Sequence, residues 1–132
     1  MNEIPDSVIS AEVRSRLREL QRGDDGRTSS CTVTFDAAFR GFEGHFEGNP
    51  IVPGVCLIAL ARIHAEELLQ RAFIVKEIRQ CRFRRPIFAG ESALSSLKVD
   101  LPEDDPKHPR LRAEIRCGDA VACQLSMTLE EA

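Results

Sequence analysis

His45 stands in the segment GHFEGNPIVPG, between Glu43 and Glu47 and just ahead of the apolar run VCLIALA. An unperturbed imidazole titrates near neutrality, so one side chain in that place both takes and returns a proton. Gly48, Pro50, Pro53 and Gly54 punctuate the stretch and forbid regular structure across 44–53. Pro53 suits the start of a helix, where its missing N–H costs nothing. The helix is therefore predicted to begin at Gly54, and the unpaired N–H groups of Gly54 and Val55 mark its positive end, which favours negative charge. With no Cβ, Gly54 also permits a ligand to approach the backbone closely. Farther on, Arg79, Arg82, Arg84 and Arg85 concentrate positive charge in an otherwise acidic chain. Strand alternation places Arg82 and Arg84 on one face, opposite Phe83.

The elements that must hold these groups follow from periodicity. Ile9, Val13, Leu17 and Leu20 recur at helical spacing after Pro5 and before Gly23, which predicts an N-terminal amphipathic helix over about 7–21. The polar RGDDGRTSS reads as a loop, and CTVTFDAAF alternates as a half-buried strand. From 54 to about 71 a long helix is apolar on nearly every side for its first two turns, so 55–61 should be buried. FIVKEIRQCRFRRPIF reads as one or two strands, and ESALSSLKVDL, PRLRAEIRCG and AVACQLSMTLE as one each, with PEDDPKHP a solvated hairpin loop. Several strands without intervening helices, following one long helix, imply an antiparallel sheet packed on that helix and an α+β class.

Composition narrows the remaining classes. A chain of 132 residues is expected to form a single domain spanning 1–132, small enough for partner subunits to matter to its stability. A net charge of −3 argues against nucleic acid or an anionic membrane as a general partner. The longest apolar run, 55–61, falls far short of the roughly 20 residues a bilayer span needs, and MNEIPDSVIS lacks the basic-then-apolar order of a leader, so a cytoplasmic location is expected. Five cysteines without CxxC spacing suggest neither a disulfide framework nor a zinc knuckle but reduced, mostly buried thiols. No metal or organic cofactor is implied.

Two blocks of the chain resemble the hot-dog-fold 3-hydroxyacyl-acyl-carrier-protein dehydratases of type II fatty acid synthesis. The family signature Gly-His-Phe-Pro-Gly-x-Pro-x-x-Pro-Gly-Val is matched in register by Gly44, His45, Phe46, Gly48, Pro50, Pro53, Gly54 and Val55. The second block, CRFRRPIFAGE, is similar to the family's Phe-Arg-Arg-Pro strand and the turn after it. The resemblance runs from about 31 to 129 and leaves the N-terminal helix without a counterpart. It implies a hot-dog fold, an antiparallel sheet wrapped around the long central helix, in a dimer with two sites at the subunit interface. It further implies that His45 acts on the C2 proton of a 3-hydroxyacyl thioester. The thioester oxygen would gain enolate-like charge beside the amides of Gly54 and Val55, which then act as an oxyanion hole.

The resemblance breaks at one position. Fourteen residues beyond the histidine the family carries a glutamate or aspartate that helps the hydroxyl depart, and here that residue is Ala59. General acid–base groups commonly contribute ~10² to 10⁴ in rate, so ordinary dehydration needs a substitute. Glu47 and Glu43 flank His45. Glu66 lies two helical turns beyond Ala59, about 10 Å along the axis at ~1.5 Å per residue. Arg79, Arg82, Arg84 and Arg85 match a region near the mouth of the family's substrate tunnel, and so become candidates for docking a carrier protein or its phosphopantetheine phosphate. The expected ligand is an acyl thioester on a carrier protein or coenzyme A. The expected assembly is a homodimer or higher homo-oligomer, or a heterodimer with another hot-dog subunit. Thioester hydrolysis, and a non-catalytic subunit whose His45 loop completes an active partner, remain the alternatives.

Overall fold

A computed structural model describes residues 6–42, 48 and 50–132. Helix α1 (Asp6–Ser15) is followed by strands β1 (Leu17–Arg22) and β2 (Thr28–Thr34), a 3-10 turn (Arg40–Phe42) and the central helix α2 (Gly54–Leu69). Then come β3 (Phe73–Phe83), β4 (Ser92–Asp100), β5 (Arg110–Cys117) and β6 (Ala120–Glu131). The strands form one antiparallel sheet in the order β1-β2-β4-β5-β6-β3. No helix among the described residues is long and apolar enough to cross a membrane.

Period-two alternation in β4 and β5 sends Ala93, Leu97 and Val99, and Leu111, Ala113 and Ile115, to one side of the sheet, where they are buried. Leu57, Leu60, Ala61, Ile63 and Leu68 of α2 join the same core. This is the expected sheet packed on one helix, with α2 starting at Gly54 as its proline and glycine predict. The prediction that 55–61 is almost wholly buried needs correction at two positions. Val55 is 73% exposed and Ile58 half-buried, because both lie on the side of α2 that the sheet does not cover.

The N-terminal helix also ends earlier than the predicted 7–21. It stops at Ser15, and Leu17 opens a strand whose pairing with β2 runs from Leu17↔Val33 to Arg22↔Ser29. A bulge between Arg18 and Gln21, with Glu19 at φ +54°, inserts an extra residue. Leu17 and Leu20, three apart, therefore both turn partly inward, and the bulged strand imitates helical spacing. The five cysteines are free, with Cys31, Cys56, Cys117 and Cys123 buried and Cys81 half-buried, as their spacing suggested.

Candidate functional site at the start of the central helix

The histidine segment is entered from the 3-10 turn. Phe35, Phe39 and Phe42 pack ring to ring, at centroid distances of 4.8 and 5.4 Å, and hold that turn against the core. A Cβ on Gly41 would lie 2.3 Å from the Phe39 ring and 3.0 Å from Cys56 Sγ, so the turn is pressed onto the first turn of α2. Beyond the segment, the Ala89 N–H donates to Pro50 O at 3.1 Å and the Val52 N–H to Ile87 O at 2.8 Å, which ties 50–53 to the turn after β3. His45, Glu43 and Glu47 lie outside the described residues.

At the helix start, Pro53 is extended (φ −61°, ψ 145°) and offers no side-chain cap. Its carbonyl accepts from the N–H groups of Cys56 and Leu57 at 2.9 and 3.4 Å. The N–H groups of Gly54 and Val55 have no acceptor among the described residues, and they sit at the positive end of a 16-residue helix. Gly54 has a further reason to be glycine that its neighbours in sequence do not reveal. A Cβ there would meet the Phe83 ring at 2.7 Å, so the room left by the missing side chain is taken by β3. Phe83 is 53% exposed and Val55 73% exposed, so two apolar side chains stand open to solvent beside the helix start.

Ala59 lies one turn deeper and is 7% exposed. Glu66, farther along the same face, is already engaged. One carboxylate oxygen accepts from Arg14 at 2.5 Å, and the other accepts from Arg62 at 3.0 Å and from the Phe73 N–H at 2.8 Å. The carboxylate thus joins α1, α2 and the start of β3, and its partners direct it toward them and away from the helix N-terminus.

The four arginines do not share one environment. Arg85 forms a two-pronged pair with Glu91 at 3.2 and 3.0 Å, and Glu91 accepts from the Phe88 N–H at 2.8 Å. That backbone donor first, then Arg85, holds the Glu91 carboxyl below its ordinary range. Arg84 donates to Gln124 at 2.9 Å and Arg82 lies in hydrogen-bond reach of Gln80, both on the sheet face turned away from α2, while Phe83 points to Gly54 as alternation requires. Arg79 has no side-chain hydrogen bond or ion pair among the described residues.

Sequence reasoning passed over His64. It is fully buried, with Nδ1 2.9 Å from Ser95 Oγ and Nε2 2.9 Å from Ser29 Oγ. Burial pushes its pKa down to about 4, so at neutral pH the ring is uncharged and one nitrogen donates while the other accepts. The signal was available in two serines at inward strand positions facing a polar residue on a buried helix. Both ring nitrogens are spent on tying α2 to β2 and β4, which leaves none for a substrate.

Comparison with known proteins agrees with this geometry. The family model of the ApeI-like dehydratases matches residues 21–123. The chain belongs to the ApeI-like dehydratase family. Among curated relatives of this ApeI-like chain, the 3-hydroxyacyl-[acyl-carrier-protein] dehydratase FabZ of Levilactobacillus brevis is 30% identical over 122 residues, covering 86% of this chain and 78% of that protein. FabZ of Alkaliphilus metalliredigens is 31% identical over 120 residues, with the same coverage of 86% and 78%. In structure, a chain of the dehydratase heterocomplex ApeI:P from Xenorhabdus doucetiae superposes with a TM-score of 0.70 at 21% identity, covering 87% of this chain and 96% of that one. The E. coli PaaI protein superposes at 0.65 with 16% identity, covering 92% and 87%. The fold is the hot-dog fold and the protein is dehydratase-like, as the two sequence blocks imply.

Proposed function

We propose that this ApeI-like chain binds a 3-hydroxyacyl thioester, on a carrier protein or coenzyme A, at the start of α2, and takes part in its dehydration within an acyl-chain synthesis. The observation that carries the reading is the helix N-terminus, where the amides of Gly54 and Val55 have no acceptor among the described residues and exposed Val55 and Phe83 stand beside them. A thioester oxygen set on those donors is stabilised as negative charge develops. His45 is the proposed base at C2. The proposed assembly is a dimer through β3, an edge strand that exposes Ile74, Ile78 and Phe83 by 50, 44 and 53%.

Ala59 favours one refinement. With no carboxylate at that position and Glu66 committed elsewhere, the group that protonates the departing hydroxyl comes from Glu43 or Glu47, or from a second hot-dog subunit paired with this one. A 3-hydroxyacyl carrier substrate distinguishes these. Enoyl product formed by the chain alone, and lost with His45→Ala, supports a self-sufficient dehydratase; product formed only on mixing with a second hot-dog subunit supports the paired enzyme. Thiol release without enoyl product would replace both with thioester hydrolysis.

A further inference from the structure

The sheet face turned away from α2 segregates charge. Its two adjoining troughs, about 980 and 610 Å³, are lined by eight of the chain's eighteen Lys and Arg residues but by three of its twenty-one Asp and Glu residues. Lys98, Arg110 and Arg112 occupy β4 and β5, with Arg79 and Arg82 on β3 and Arg84 just beyond its end, all exposed. Register sets Lys98 directly opposite Arg112, an arrangement that costs stability because like charges repel across a strand pair. Neither of them, nor Arg110, has a side-chain hydrogen bond or ion pair among the described residues. Of the three acids, Asp100 stands opposite Arg110 across the strand pair, but neither of the others answers Lys98 or Arg112. Glu114 is paired with Arg116, and Asp25 accepts from its own turn at the Arg27 and Thr28 N–H groups. Between the cations the surface is small and polar, with Ser30, Ser96 and Ser126.

The size and chemistry of the face select its occupant. From β3 to β4 is three strand spacings, about 14 Å, against a diameter of about 10–12 Å for a helix with its side chains. The cations are spread along that width and do not converge as they would on one phosphate. No aromatic side chain lines either trough, so a nucleic acid would find no stacking surface, and none of the exposed large apolar side chains lines them to enter a bilayer. Elsewhere the chain is strongly acidic and repels any polyanion longer than the patch. A second copy docked face to face would set one cationic face against another.

We propose that this outer face docks an acidic helix of a partner protein, independently of the thioester site on the other side of the sheet. The test uses fluorescence anisotropy with a labelled helical peptide of about 16 residues carrying Glu along one face. Binding should weaken with salt, fall about tenfold for Lys98→Glu/Arg112→Glu, weaken less for the neutral pair Lys98→Gln/Arg112→Gln, and stay unchanged for Lys107→Glu in the distant loop. Circular dichroism checks that each variant is folded. Equal binding of a proline-broken peptide of the same charge, tighter binding of a single-stranded DNA oligomer, or salt-independent self-association through the face would each overturn the proposal. So would binding indifferent to Lys98 and Arg112. Thioester turnover by the doubly reversed protein should match the wild type, and its loss would overturn the independence of the two sites while leaving the proposed chemistry intact.

Discussion

At the residue scale the site turns on Ala59 and Gly54. If the missing carboxylate is all that separates this chain from a self-sufficient dehydratase, Ala59→Glu raises 3-hydroxyacyl dehydration by about 10²-fold, and adding His45→Ala removes the gain. Enoyl absorbance on folded protein reads both. Burial helps here, since a carboxyl at a 7% exposed position is pushed toward its protonated form, which is the form an acid needs. Gly54→Ala brings a Cβ to 2.7 Å from the outer end of the half-exposed Phe83 ring, which must swing aside, and should cost at most about 1 kcal/mol by denaturant titration. In a Phe83→Ala background the same change should be nearly neutral, because the obstacle is gone. The helix start was legible because proline and glycine act on their immediate neighbours. The Gly54–Phe83 contact was not, since it joins residues far apart in sequence that only the fold brings together.

At the element scale, Glu66 is the fastening of α1. Replacing it with Gln keeps an acceptor for the Phe73 N–H but strips the charge from Arg14 and Arg62, so stability should drop by about 1–3 kcal/mol and α1 should become the first site of limited proteolysis. An unchanged urea midpoint would show that its ion pairs do not fasten α1. The mistaken extent of α1 has a comparable cause. Apolar spacing reports which residues face inward, and a bulged strand faces Leu17 and Leu20 inward as a helix does. The strands β4, β5 and β6 were legible because unbroken alternation has no such imitator.

For the whole molecule, His64 sets an acid limit. Its pKa is depressed from 6.5 to about 4 on folding, so below 6.5 the unfolded chain binds more protons, and stability present above 6.5 is lost as pH falls toward 4. The loss at pH 5 should be about 2 kcal/mol, and His64→Gln, which keeps both hydrogen bonds in reach and does not titrate there, should flatten the curve between pH 7 and 5 by that amount. The comparison is made from urea midpoints at each pH. The thiols offer a second view of the same cohesion. Burial raises Cys31 and Cys56 to about 11 and Cys123 to about 12, while Cys81 on edge strand β3 is only half-buried. A thiol reagent therefore meets a ranked set of clocks, with Cys81 ticking at the rate at which the edge frays and the deep thiols at the rate at which the whole sheet lets go.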